Sequence, residues 1–165
     1  MKIIKKKIKI AIDSPAAAGA GTLAKKISDH YNLYYLDTGK IYRYIAYLKI
    51  RYPEKFGNSF IKKQIKKLNI KKLKKKELVS DQVGLEASII SKGRNIRKLV
   101  HKFQIKCAYK PPKNFNGSCL DGRDITYNIM PDADFKFFVT ASLKTRALRR
   151  YKELKSINKK TNLHE

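Results

Sequence analysis

Short apolar runs alternate with longer amphipathic segments along most of the chain. The apolar runs predict strands at 8–12, 33–36, 118–120 and 135–140. The amphipathic segments predict helices at 22–31, 41–50, 77–91, 95–108 and 143–154. Strands that alternate with helices predict an α/β fold with a parallel sheet and helices on both of its faces.

Residues 51–76 break this alternation. Pro53 and Gly57 interrupt the segment, and Ile61 and Ile65 are spaced among paired lysines. We interpret it as a basic insert that is helical or partly flexible.

Polar residues follow three of the predicted strands. Asp13, Asp37 and Asp121 each stand at the carboxyl end of a strand. In parallel α/β sheets, ligands bind beyond this edge. The sequence therefore predicts a ligand site there.

The loop after the first predicted strand lies where a phosphate-binding loop belongs, between a strand and a helix. Its residues are Ser14, Pro15, Ala16, Ala17, Ala18, Gly19, Ala20, Gly21 and Thr22. Of the four fixed positions of the pattern G-x-x-x-x-G-K-[ST], only Gly19 is kept. By itself the loop fits a tight turn of small residues equally well.

The composition indicates one folded, strongly basic domain. The chain has 165 residues, a net charge of +26 and 42% hydrophobic residues, too many for a disordered tail. Lysine supplies 31 of the 39 basic residues and arginine only 8. Nucleic-acid binding and a solvated lysine surface set by an AT-rich gene both explain the excess. The planar guanidinium group of arginine can form two hydrogen bonds with a phosphate, so the few arginines mark candidate binding sites.

Two cysteines form no disulfide framework, and no run of 18 apolar residues occurs. We expect a reduced, cytoplasmic protein with no membrane span.

Four further segments stand out along the chain: LDTGKIYR at 36–43, DGRDI at 121–125, PDADFKFF at 131–138 and RALRRYKEL at 146–154. In their order and spacing they resemble bacterial cytidylate kinase, a family of P-loop nucleoside monophosphate kinases. The resemblance implies a three-layer P-loop NTPase fold and transfer of the γ-phosphoryl group of ATP to CMP or dCMP.

The resemblance also implies a CMP site. Its residues would be Thr38, Arg43, Ser88, Arg97, Arg123 and Asp124. Arg43 and Arg123 would hold the phosphate, and an acceptor such as Asp124 suits the amino group of cytosine. Two alternatives stay open: Ser88 could face only its own helix, and Arg97 could lie along the surface.

For the transfer step, the resemblance implies that ATP binds together with Mg²⁺ and that Asp121 contacts the metal through a water molecule. Arg123, Arg146 and Arg150 would carry positive charge to the transferring group, with Arg149 close by. Asp13 either takes part in the site or is a helix-capping or loop-bracing residue, and the residues do not decide between these roles.

The chain departs from the family pattern at the loop, where Ser14 replaces a glycine and Ala20 replaces the lysine that cradles the β and γ phosphates. Lys40 or Lys25 could supply this charge from elsewhere. The chain also ends soon after the lid begins at Arg146, so we expect a fragment with four of the family's five strands and a bare sheet edge.

We therefore expect a single kinase domain with its core at 1–38 and 113–165, an NMP-binding insert at about 39–112 and an incomplete lid from 146. The expected protein is a monomer that acts on CMP or dCMP and ATP and requires no nucleic acid or membrane. The alternative is a non-catalytic basic protein of the same fold that binds nucleotide or RNA.

Overall fold

The computed structural model describes residues 6–157. The strands are β1 (Ile8–Asp13), β2 (Tyr34–Asp37), β3 (Gly117–Gly122) and β4 (Phe135–Phe138). The helices are α1 (Ala20–Tyr31), α2 (Gly39–Arg51), α3 (Asn58–Lys66), α4 (Asp81–Ile90), α5 (Arg94–Tyr109) and α6 (Leu143–Ile157). The polar tail from residue 158 onward lies outside the described residues.

The described strands form one parallel sheet in the order β2-β3-β1-β4. Ala11, Ile12, Cys119 and Leu120 of the two central strands are fully buried. Central strands of this kind have near-continuous apolar runs because both of their faces are covered. The predicted α/β fold with a parallel sheet is confirmed.

The chain divides into two compact units. The sheet unit contains the described residues up to Asp37 and Gln104–Thr140, and therefore all four strands. The helical unit contains Thr38–Phe103 and the described residues from Ala141 onward.

In the sheet unit, α1 follows β1 directly through the small-residue loop. Gly19 precedes the helix with φ 99°, and Asn32 ends it with φ 52°, both in the left-handed region. Ala20 and Ala24 bring the helix against an apolar cluster that includes Ile10, Ile12 and Leu33.

In the helical unit, α2 packs against α4. Ile41, Ile45 and Leu48 form the buried face of α2, with the spacing expected of an amphipathic helix. Val83 and Ala87 are buried on α4.

The basic insert is mostly helical. It contains α3 and two 3₁₀ turns, Pro53–Lys55 and Lys72–Lys74. Ile61 and Ile65, one turn apart, are the buried side chains of α3, whereas most of the lysines are exposed.

Two predicted elements differ from the structure. The helix predicted at 77–91 is a 3₁₀ turn, Lys76–Val79, followed by α4, because the backbone is extended at Ser80 with ψ 155°. The strand predicted at 135–140 ends at Phe138.

Strand β4 pairs with β1 alone among the described strands. Phe135, Phe137 and Phe138 are 54%, 42% and 74% exposed. Within the described residues, no other strand pairs with the outer side of β4.

Within residues 6–157, no helix is both long and apolar enough to cross a membrane.

Candidate active site

The loop from Ser14 to Thr22 has the backbone of an anion-binding turn. Ser14 N–H donates to the Gly122 carbonyl at 2.9 Å and ties the loop to the end of β3. Ala17 (φ 60°) and Gly19 (φ 99°) are both left-handed, just before α1 begins at Ala20. Successive backbone amides in such a turn, with a helix N-terminus behind them, form a concave site for phosphate.

This loop offers an anion no positively charged side chain. No residue from Ser14 to Thr22 is charged. Ala20, at the position where the resemblance implies a lysine, is 2% exposed and packs into the apolar cluster of the sheet unit. The donors that this loop can offer to phosphate are therefore uncharged: its backbone amides and the hydroxyl groups of Ser14 and Thr22.

Lys25, one of the two candidates for a substitute charge, is engaged elsewhere. Its ammonium group forms an ion pair with Asp29, one turn further along α1 and away from the loop. The sheet unit therefore gives no support to Lys25 as a phosphate ligand.

Three carboxylates lie at the carboxyl edge of the sheet. Asp37 and Asp121 occupy paired positions of β2 and β3, and Asp13 ends β1 beside Gly122. Asp121 is buried, with 6% of its surface exposed. These residues lie at the edge of the sheet where the sequence predicts a ligand site, and the ligand site itself stays a prediction.

Asp13 braces a loop. Its Oδ1 accepts from Ile125 N–H at 2.6 Å, and its Oδ2 accepts from Thr126 N–H at 3.1 Å and from the Thr126 hydroxyl. These bonds anchor the π-helical turn Ile125–Ile129, which the sequence did not predict. Of the two roles left open for Asp13, the structure supports the bracing one.

Tyr35 belongs to the same edge, and sequence reasoning missed it. Its hydroxyl donates to the Gly21 carbonyl at 3.5 Å. Burial raises the pKa of Tyr35, and the nearby Asp121 and Asp37 carboxylates raise it further. The signal in the sequence was its position two residues before Asp37, which places both side chains on one face of β2.

The carboxylates suit a magnesium site in which water molecules lie between the protein and the metal better than a site in which protein side chains alone coordinate the metal. In the described part of the chain, no three His, Cys, Asp or Glu side chains are grouped so as to hold a metal ion. Mg²⁺ in phosphoryl-transfer sites needs only one or two carboxylates, because waters and substrate phosphates complete its shell. Asp121, with Asp37 opposite, fits that requirement.

Arg123 and Asp124 directly follow β3 and are both exposed. Asp124 is held in the left-handed region (φ 60°) at the start of the π-helical turn that Asp13 anchors. The backbone that carries these two predicted CMP ligands is therefore fixed by a bond network of the sheet unit.

In the helical unit, two predicted arginines converge. A Cβ atom placed on Gly84 of α4 would lie 3.3 Å from the guanidinium nitrogens of both Arg43 and Arg150. Arg43 donates to the Leu78 carbonyl at 2.9 Å, and Arg150 pairs with Asp81 at 3.1 Å. Two guanidinium groups held close together by braced side chains are suited to a phosphate dianion.

Lys40 lies in the first turn of α2 and is half-buried. A cation at a helix N-terminus opposes the helix dipole, so helix stability does not explain this lysine. Thr38, just before α2, is 3% exposed.

Ser88 and Arg97 are exposed on α4 and α5. The Ser88 hydroxyl donates to the Leu85 carbonyl of its own helix at 2.7 Å, as its alternative interpretation expected. Arg97 donates to the Ser91 carbonyl at 3.4 Å. Both roles in cytosine recognition stay predictions. On α6, Arg146 is half-buried and Arg149 exposed.

The arrangement has two chemically different parts. The sheet unit offers backbone amides for phosphates and carboxylates for a hydrated cation. The helical unit offers the guanidinium groups of Arg43 and Arg150 and the ammonium group of Lys40. Each unit thus offers kinds of group that phosphoryl transfer uses, and that reaction needs no nucleophilic side chain.

Comparisons with known proteins agree. The family model described as cytidylate kinase matches residues 10–165. The chain is 42% identical over 161 residues to a cytidylate kinase of Bartonella tribocorum and 40% identical over 157 residues to one of Mesorhizobium japonicum; each alignment covers 94% of this chain and 71% of the relative. A cytidylate kinase of Mesomycoplasma hyopneumoniae is 36% identical over 180 aligned positions, which cover 97% of this chain and 73% of the relative. The chain therefore belongs to the cytidylate kinase family.

Proposed function

We propose that the protein transfers the γ-phosphoryl group of ATP to CMP or dCMP. The observation that carries this proposal is the cytidylate kinase match over residues 10–165. The same match favours a kinase over the non-catalytic alternative.

The loop from Ser14 to Thr22 binds the phosphates of ATP in this proposal. Its amides and the N-terminus of α1 point their partial positive charge at the anion without reorganisation during the reaction. Because Ala20 brings no charge, we assign to Lys40 the role of the missing cation.

Arg43 and Arg123 bind the phosphate of CMP. Asp124 and Ser88 accept from the amino group of cytosine, and Arg97 donates to the ring carbonyl. Thr38 completes the substrate site at the start of α2.

Arg146 and Arg150 stabilise charge on the transferring group, with Arg149 nearby on α6. Mg²⁺, when bound with ATP, would bridge the β and γ phosphates and neutralise developing charge. Asp121 would hold one of its waters. We further propose that the protein acts as a monomer in the cytoplasm.

A coupled assay with ATP and Mg²⁺ tests the function. We expect ADP release that depends on CMP or dCMP and that exceeds the release with AMP, GMP or UMP. Binding of CMP without any CMP-dependent ADP release would favour the non-catalytic alternative, and equal rates with all five acceptors would contradict the assignment to cytosine nucleotides.

A further inference from the structure

The helical unit contains a cavity that none of the assigned roles uses. It lies between α2, α3 and the two 3₁₀ turns of the insert, and its volume is about 390 Å³. This lies within the range of small-molecule sites, about 300–1,000 Å³. Thr38, Lys40, Arg43, Ser88 and Arg97 are not among the described residues that line it.

Aromatic rings supply much of the lining. Tyr47, Tyr52 and Phe60 contribute to the wall, and the rings of Tyr52 and Phe60 meet edge to face at 6.1 Å between centroids. Tyr52 remains 43% exposed. An exposed ring of this kind offers a face on which a planar ligand group can stack.

The polar groups of the lining are suited to an anion. Lys55, Lys72 and Lys75 line the cavity, and its described lining contains no acidic residue. Lys75 lies over the Tyr47 ring at 5.2 Å from the centroid, so charge and ring face are next to each other. The buried Tyr44 hydroxyl and the Gln64 side chain, 3.4 Å apart, add neutral hydrogen-bonding groups.

Exposed lysines are common in this chain, and Lys55 and Lys75 are exposed like Lys62 and Lys63 of α3. The cavity differs from the rest of this basic surface because three lysines line one concave site beside aromatic rings. Stacking faces beside positive charge form the usual pattern for the base and phosphate of a nucleotide.

We propose that this aromatic–lysine cavity is a second binding site, separate from the catalytic groups, for a nucleotide. The phosphate would pair with Lys72 and Lys75, and the base would stack on Tyr52. The ligand chemistry is the same in a free nucleotide and in one nucleotide of a single strand, so the experiment below separates these two sources.

The test compares two double variants that remove equal charge. Lys72→Ala/Lys75→Ala alters the cavity, and Lys62→Ala/Lys63→Ala alters exposed lysines of α3 outside its lining. Calorimetry measures UMP binding, and fluorescence anisotropy measures a labelled oligouridylate of about 12 nucleotides, both at about 0.15 M salt. We expect about tenfold weaker binding only in the cavity variant. If the cavity variant binds both ligands more weakly, a free nucleotide is sufficient for the site. If it binds only the oligonucleotide more weakly, the ligand is a single strand.

A ring variant tests stacking. Tyr52→Leu should weaken the same binding about tenfold, whereas Tyr31→Leu, which changes another exposed tyrosine in the sheet unit, should leave it unchanged. CMP phosphorylation should stay unchanged in all four variants.

Three results would overturn the proposal. Equal losses of binding in the two lysine variants would mean that the ligands bind through non-specific charge. If pyrophosphate competes as well as UMP, the aromatic rings and the base do not contribute to binding. Absence of cavity-dependent binding to either ligand would mean that the site is not used.

Discussion

The two units present positive charge to anions in different ways. The loop from Ser14 to Thr22 in the sheet unit, which we propose binds the phosphates of ATP, has no charged side chain, and Ala17 and Gly19 give its backbone left-handed turns. The helical unit offers charged side chains instead, and each of its converging arginines is held in place, Arg43 by the Leu78 carbonyl and Arg150 by the carboxylates of Asp81 and Glu153.

This difference shows that placement of charge matters more than its amount. In a chain of net charge +26, the loop that resembles the ATP site lacks a cation. Amides preorganised by the backbone need no brace, whereas long side chains do, since fixing them costs rotamer entropy. The following variants distinguish anion binding by backbone amides from anion binding by charged side chains.

The largest effect is expected for Lys40→Ala. If the helical unit supplies the cation that the loop lacks, turnover should fall by at least about a hundredfold. Lys25→Ala is the matched control, because Lys25 is paired with Asp29, and it should change kcat little. Steady-state kinetics of both variants check this, and unchanged turnover in Lys40→Ala would reject the role of Lys40.

Arg43→Ala should raise KM for CMP by between about tenfold and a hundredfold, because it removes charge-assisted bonds to the phosphate. Arg43→Lys should recover only part of the loss, since lysine lacks the planar fork. Arg51→Ala, at the exposed end of the same helix, should leave KM unchanged. Similar KM values for Arg43→Ala and Arg51→Ala would remove Arg43 from the site.

Gly19→Ala should destabilise the protein by about 1–2 kcal/mol, because φ 99° is unfavourable for a residue with a Cβ. We also expect KM for ATP to rise about tenfold, since the loop amides turn away from the phosphates. Gly57→Ala is the control: its backbone is extended (φ −171°), and a Cβ there would meet nothing within 4 Å. Urea unfolding and kinetics measure both variants, and equal behaviour would contradict the strained loop.

The smallest effect concerns acid stability. Hydrogen bonds from Lys9 and Tyr109 lower the pKa of Asp132 from 3.8 to about 2. A carboxylate with a lowered pKa stabilises the fold above its ordinary pKa, and this contribution disappears as the pH falls from about 4 to about 2. In Asp132→Asn, the free energy of unfolding should therefore fall less steeply with decreasing pH in that window, as urea unfolding at several pH values would measure. An unchanged slope in Asp132→Asn would contradict this account.

Local patterns predicted the elements of the sheet unit well. The apolar run of β1, the small loop and the amphipathic α1 depend on neighbouring residues, so their order and type were visible in the sequence. The role of Asp13 was not, because its partners Ile125 and Thr126 lie more than a hundred positions away. The π-helical turn depends on those bonds and was missed for the same reason.

The helical unit was harder to predict. The spacing of Ile61 and Ile65 indicated a helix in the insert, but the dense lysines around them also allowed a flexible segment, so the bounds of α3 were not predicted. The resemblance marked Arg43 and Arg150 separately, but their convergence at Gly84 depends on how α2, α4 and α6 pack within the unit.

The most direct test of the central claim is calorimetric titration of ATP and of CMP into Gly19→Ala and Arg43→Ala. The account assigns ATP phosphates to the amide loop and the CMP phosphate to the guanidinium group. It predicts that Gly19→Ala loses affinity for ATP but not for CMP, and that Arg43→Ala loses affinity for CMP but not for ATP. Equal losses for both ligands in both variants would contradict it.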